Sequence, residues 1–234
     1  MQSSELKTSW KQRIFIGLIA IILLFSTIAV YALIVVNNEA KNGSSSSSDS
    51  ELADIYQQLT EAQSELDEVA KPLSDKYLKT MKSYRSRVKA YNAEKVNSGG
   101  LKTTDIKKGD GKKLEAYSTE YMAYYIGWCA DETVFDSSFD DFDDPAKLSA
   151  PLIGGSMIEG WEQGIAGMKI GGVRELTIPG ELAYGETQEI CGTTNSPLKF
   201  IVMTLKKDSR VDELYAEINN LQTQYYALAQ GVQY

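Results

Sequence analysis

Residues Ile14 to Val36 read "IFIGLIAIILLFSTIAVYALIVV", a run of 23 positions without one charge. As a helix rising ~1.5 Å per residue it is about 34 Å long, enough to cross the hydrocarbon core of a bilayer. A helix in a globular core is rarely so apolar on every face. Lys7, Lys11 and Arg13 precede the run, and only Glu39 and Lys41 come soon after it. The positive-inside rule therefore predicts residues 1–13 in the cytoplasm, a transmembrane helix at 14–36 and the bulk of the chain outside. A signal peptide cut near Ala32 is the rival reading, but its apolar region would exceed the usual ~7–15 residues.

Beyond this run the chain changes character twice. Residues 37–50, "NNEAKNGSSSSSDS", are polar and Ser-rich with no hydrophobic period, which predicts a flexible spacer. In the segment 51–97, Leu52, Ile55, Leu59, Ala62, Leu66, Val69 and Leu73 step by three and four and so share one helical stripe. Pro72 then interrupts, and Leu73, Tyr77, Met81, Tyr84, Val88 and Tyr91 mark a second stripe that ends near "NSGG". A hairpin and one kinked helix both fit this pattern. The C-terminal segment 208–234 repeats it with Val211, Leu214, Ile218, Leu221, Tyr225 and Leu228, with Asp208 or Ser209 as the cap. Each stripe must be buried. The economical arrangement packs the flanking helices on each other with residues 98–207 as an insert, and a homodimeric coiled coil through Leu52 to Leu73 is the alternative.

Within 98–207 the pattern turns to short strands. "EAYSTEYMAYYIGW", "VRELTIP" and "LKFIVMTLKK" are β-prone runs punctuated by Gly and Asp, and "MIEGWEQGIAGM" is a short helical candidate whose Trp161, Ile165 and Met168 face one way. The class is α+β, with an antiparallel sheet of about five strands. The whole chain lacks histidine, which excludes Ser-His triads, Cys-His dyads and histidine metal sites. A net charge of −8 leaves no basic footprint for nucleic acid. The acidic run Asp140, Asp141, Asp143 and Asp144 lacks the glycine and distal glutamate of a calcium loop and reads as a solvated surface. The segment "GWEQGIAGMKIGGVRELTIPGELAYG" is thus rich in backbone freedom and poor in reactive side chains.

Three stretches together resemble the FKBP-type peptidyl-prolyl cis-trans isomerases: "YYIGWCADETVFDSS", "MIEGWEQGIAGMKIGGVRELTIPGELAYG" and "PLKFIVMTLKK". The likeness runs from about Leu101 to Lys207 and implies a half-barrel sheet wrapped on a short helix, with a shallow apolar pocket between them. It implies a catalytic set of Tyr125, Phe135, Asp136, Trp161 as pocket floor, Tyr184 and Phe200. It also implies substrate contacts from Met157 and Ile158, which precede the "GW" pair, with Ile190 as the apolar tip of a pocket-side loop. Leu148 is the positional match for the pocket-edge aromatic, and Phe142 the other. Two segments depart from the family: "SSFDDFDDPAKLSAPLIGG", and "ETQEICGTTNSPLKF", which lacks the usual proline pair. Cys129 and Cys191 can form a disulfide outside the cytoplasm and so pin that loop.

The implied reaction needs no nucleophile, cofactor or metal. Rotation about an X-Pro bond is opposed by amide resonance, and a pocket that strips water from the prolyl imide favours the twisted form. Asp136 needs a buried partner, for which Tyr125 and Arg174 are the candidates. The expected function is isomerisation of X-Pro bonds in secreted or surface proteins. The competing class is a non-catalytic binding or chaperone module on the same fold.

Overall fold

The computed structural model describes residues 47–229. The segment 1–13 expected in the cytoplasm, the expected span at 14–36 and most of the expected spacer 37–50 lie outside the described residues. Among those described, no helix is long and apolar enough to cross a membrane. The chain forms two compact units, one comprising residues up to Glu68 and from Arg210, the other Val69–Ser209.

The first helix among the described residues, α1 (Ser47–Tyr84), settles the choice between hairpin and single helix: it runs without a break through Pro72. Pro72 is exposed, so water can satisfy the carbonyl of the preceding turn that loses its N–H partner. The helix starts at Ser47, so the last four residues of the expected spacer are helical.

In the first unit α1 buries Ile55, Leu59, Ala62 and Leu66. The C-terminal helix α4 (Ser209–Ala229) buries Val211, Leu214, Ile218, Leu221 and Tyr225. Arg210 Nε donates to Glu65 Oε1 at 2.9 Å, which sets the start of α4 beside the Glu65 turn. Most of both stripes is thus buried within one chain, while Leu52, Val69 and Leu73 are half-buried.

In the second unit the helix expected to reach "NSGG" stops at Tyr84. A 3-10 turn at Arg85–Arg87 comes next, then an extended stretch and a short helix α2 (Ala93–Gly99) whose first turn is capped by Asn92. Tertiary hydrogen bonds outcompete helix here. Tyr91 N–H donates to the Ala130 carbonyl at 3.0 Å, and Ala90 N–H to Glu132 Oε1 at 2.9 Å. Trp128 Nε1 donates to the Lys89 carbonyl at 3.0 Å, and the Tyr91 hydroxyl lies 2.9 Å from the Pro197 carbonyl. Asn97 bridges two loops: its Oδ1 accepts from Gly180 N–H at 2.8 Å and its Nδ2 donates to the Asn195 carbonyl at 3.3 Å.

Among the described residues six strands form where about five are expected: β1 (Lys102–Lys107), β2 (Tyr121–Trp128), β3 (Val134–Ser137), β4 (Leu152–Ile153), β5 (Val173–Ile178) and β6 (Leu198–Lys206). They make one antiparallel sheet in the order β1-β5-β6-β2-β3, with the short β4 also on β2. β2 pairs with β6 along its whole length, from Tyr121 opposite Lys206 to Trp128 opposite Lys199. All but one residue of β2 are buried, because both of its faces are covered: Tyr124 meets Tyr77 of α1, and residues of the opposite parity meet a short helix, α3 (Glu159–Ile165). β1 is a polar, mostly exposed edge that the hydrophobic pattern does not signal.

α3 lies close on β5 because two of its positions are glycine. A Cβ on Gly160 would stand 2.3 Å from Ile178 Cγ2, and one on Gly164 2.8 Å from Leu176 Cδ2. Arg174 of β5 caps the helix end, donating through Nη1 to the carbonyls of Gly164 at 2.8 Å and Ala166 at 3.0 Å, while Nε donates to Asp105 at 2.6 Å. A buried cation at a helix C-terminus is favoured by the helix dipole. Arg174 therefore serves α3, which leaves Tyr125 as the partner of Asp136.

Candidate active site

The site is assembled where β2, β3, β6 and α3 converge. Along β2, Tyr121 and Tyr125 share one parity and both meet the indole of α3's Trp161. The last residue of that parity before the strand ends is Gly127. A Cβ there would stand 2.7 Å from Phe200 Cε1 and 3.0 Å from Phe135 Cζ, so glycine leaves the space that the two rings fill. Phe200 lies directly opposite Gly127 on β6.

Phe135 and Asp136 are consecutive, yet both turn toward this face. The β2–β3 register slips here: Gly127 pairs with Asp136 but Trp128 pairs with Val134, leaving Phe135 in the irregularity. A bulge re-aims a side chain that strict alternation would send to the other face.

The rings meet edge to face. Trp161 is fully buried at the base, with Tyr125 at 5.6 Å and 85° and Phe200 at 5.3 Å and 80° between centroids and planes; Phe135 meets Phe200 at 5.6 Å and 84°. Such pairs favour a fixed geometry beyond their burial. Around the rim, Tyr125, Phe135, Asp136 and Tyr184 are half-buried.

Asp136 Oδ2 accepts a hydrogen bond from the Tyr125 hydroxyl at 2.6 Å. Burial pushes the Asp136 carboxyl above the usual range, while the Tyr125 hydroxyl and the Ser137 N–H pull it back. The Tyr184 phenol is likewise pushed up, by burial first and then by the Asp136 charge, so it stays protonated as a hydrogen-bond donor. Ile158 is buried at the start of α3, and the half-buried Met157 donates its N–H to Glu162 Oε1 at 2.8 Å, tying down the helix entry.

Three expected residues make their contacts with residues other than the rings of this cluster. Leu148 is buried, pairs with Phe139 and donates its N–H to Ser74 Oγ at 2.7 Å. Phe142 packs on Phe139 at 6.0 Å with the Arg85 guanidinium 4.8 Å above its ring. Both belong to a satellite cluster beneath the acidic loop. Ile190 is half-buried in the small turn it makes with Thr193. Beside it Cys191, at φ +62°, is joined to Cys129 by a disulfide with Cα atoms 5.7 Å apart. The residue missed from sequence is Tyr121, whose hydroxyl accepts the Trp161 indole N–H at 3.0 Å. Its signal is parity: it stands four places before Tyr125 on the same strand face.

Asp140 and Asp141 use their carboxylates on the N–H groups of their own loop, as in Asp140 Oδ1 accepting from Ala146 at 3.1 Å and Lys147 at 3.0 Å. Among the described residues no group of three or more acidic or cysteine side chains is placed to hold a metal ion.

The family model described as FKBP-type peptidyl-prolyl cis-trans isomerase matches residues 112–205, which contain every member of the aromatic cluster. A protein of Neisseria meningitidis serogroup B named FK506-binding protein is 42% identical over 87 residues, covering 37% of this chain and 76% of the relative. The chain belongs to the FKBP-type peptidyl-prolyl isomerase family. An FK506-binding protein of Streptomyces anulatus is 41% identical over 90 residues, covering 37% of this chain and 67% of that protein. The crystal structure of AtFKBP13 is 30% identical, covers 48% of this chain and 96% of its own, and superimposes with a TM-score of 0.37.

As an FKBP-type isomerase the protein acts on the peptide bond before proline. That bond rotates unaided in about tens to hundreds of seconds, against a barrier that comes from amide resonance. Water hydrogen-bonded to the carbonyl supports the planar, charge-separated form, so an apolar site that excludes water lowers the cost of twisting.

Proposed function

We propose that this isomerase is tethered to the cytoplasmic membrane by residues 14–36, with its N-terminus inside and its catalytic unit outside, where it acts on X-Pro bonds of secreted or surface proteins. The observation that carries the catalytic part is the edge-to-face cluster of Tyr125, Trp161, Phe200 and Phe135, with the Asp136 carboxylate hydrogen-bonded to the Tyr125 hydroxyl at its rim. Trp161 and Phe200 form the floor, and Phe135 and Ile158 wall the prolyl ring. Tyr184 donates to a substrate carbonyl other than that of the rotating imide, and Asp136, held by Tyr125, faces the carbonyl carbon of the twisted imide. Catalysis is then preferential binding of the twisted amide, with no covalent step. Met157 and Ile190 touch the residues that flank the proline.

Two features support the location. The uncharged run with its basic flank has the form of a single-pass anchor. The Cys129–Cys191 bridge belongs to chemistry that persists in oxidising compartments.

The test of the activity monitors cis-to-trans exchange of a short Leu-Pro peptide with the full chain in mild detergent. The parent accelerates exchange, and Tyr184→Phe and Phe135→Leu each lower kcat/KM about tenfold, the size expected for one transition-state contact. A folded parent that leaves exchange at background speed would defeat the catalytic assignment. For location, protease added outside sealed spheroplasts should digest the isomerase unit; complete protection would place it inside.

A further inference from the structure

The floor of the pocket is itself held by a group that the isomerase motifs do not include. The Trp161 indole N–H donates to the Tyr121 hydroxyl at 3.0 Å, and both residues are fully buried. Tyr121 begins β2, and its carbonyl accepts from Gly154 N–H at 3.0 Å. Gly154 gives the phenol its passage: a Cβ there would stand 2.0 Å from Tyr121 Cε1. Burial, and then the Glu162 charge, push the Tyr121 phenol up, so it remains protonated. The same Glu162 carboxylate holds the Met157 N–H at the start of α3.

The direction of the indole N–H matters for the reaction. An N–H presented to the pocket would donate to water or to the imide carbonyl, and a donor on that oxygen favours the planar resonance form over the twisted one. Directed at Tyr121, the N–H is satisfied elsewhere, and the edges of Tyr125 and Phe200 meet an indole of fixed tilt.

We propose that Tyr121 is a positioning residue for isomerisation: its hydroxyl takes the Trp161 N–H out of the pocket and fixes the plane on which the prolyl ring rests. This rests on the isomerase reading of the site, and the experiment separates the two.

Exchange of a Leu-Pro peptide is measured for the full chain, Tyr121→Phe, Trp161→Phe and the double variant. Tyr121→Phe keeps the ring and removes only the acceptor. The expected result is a kcat lowered about five- to tenfold with KM unchanged or lower, the sign of lost transition-state preference. In the Trp161→Phe background, which has no indole N–H, the same substitution should change kcat less than about twofold. Equal loss in both backgrounds, or a raised KM at unchanged kcat, would mean that Tyr121 only supports the fold and would overturn the proposal.

A second measurement needs no variant. In the parent, hydrogen exchange of the Trp161 indole N–H should be as protected as that of Trp128, whose N–H donates to the Lys89 carbonyl at 3.0 Å. Exchange as fast as in a free indole would overturn the proposal even if Tyr121→Phe failed to fold. An inactive parent would overturn the isomerase reading, while the protection result would still report on the hydrogen bond.

Discussion

Asp136 shows how one residue links folding to the pocket. Its carboxylate is half-buried among rings and partnered by the Tyr125 hydroxyl. Because burial raises its folded-state pKa, the folded chain holds that proton more tightly than the unfolded chain does. The stability this group contributes is therefore present in acid and is lost as pH rises through the folded pKa. Asp136→Asn retains an acceptor for Tyr125 but does not titrate. Its thermal midpoint relative to the parent should climb as pH rises from about 4, the ordinary aspartate value, to neutrality. A difference that stays flat in scans across that range would contradict the assignment. Motif identity at Phe135, Asp136, Trp161, Tyr184 and Phe200 is enough to select residues that the fold brings together. Leu148 is selected only by position, in a segment with no motif, and its burial beneath the acidic loop is set by Ser74 of a helix that the shared motifs do not include.

At the scale of elements, local pattern and tertiary demand diverge in identifiable places. β6 is readable because "LKFIVMT" is apolar on both faces and both are covered. β1 is not, since "KTTDIK" carries no hydrophobic period and is held as a strand by its ladder to β5 alone. The end of α1 misleads because Val88 and Tyr91 continue the helical spacing, while the backbone around them is claimed by the turn after β2. Pro72 misleads the other way, as a stop that the helix passes. An exposed proline inside a helix remains costly, so Pro72→Ala should raise unfolding stability by about 1–3 kcal/mol in urea titration. The disulfide acts on an element that the hydrogen-bond ladder does not reach, the loop from Gly185 to Pro197. It joins residues 62 apart in sequence. Reducing it should cost about 2–4 kcal/mol, by the entropy of the loop it closes in the unfolded chain. The check is urea unfolding with and without reductant, and a free-thiol count that does not change on reduction would show that the bridge is absent in solution.

Over the whole molecule, the absence of histidine directs attention away from acid–base and metal chemistry, toward binding energy as the source of catalysis. The flanking helices are visible as stripes, but what they cover depends on contacts distant in sequence. The segment before the matched residues 112–205 illustrates this. Tyr91 and Asn97 hold the carbonyls of Pro197 and Asn195, Asn97 also holds the Gly180 amide, and Lys89 receives the Trp128 indole N–H. A fragment beginning at Leu101 should be less stable than one beginning at Val69 by about 3 kcal/mol or more, given the number of hydrogen bonds removed. Equal urea midpoints for the two fragments would show that the segment adds nothing. The border that similarity draws around this enzyme is thus narrower than the border its hydrogen bonds draw. A graft of the shared residues into another protein would carry the rings of the pocket but leave behind the strut that braces its rim.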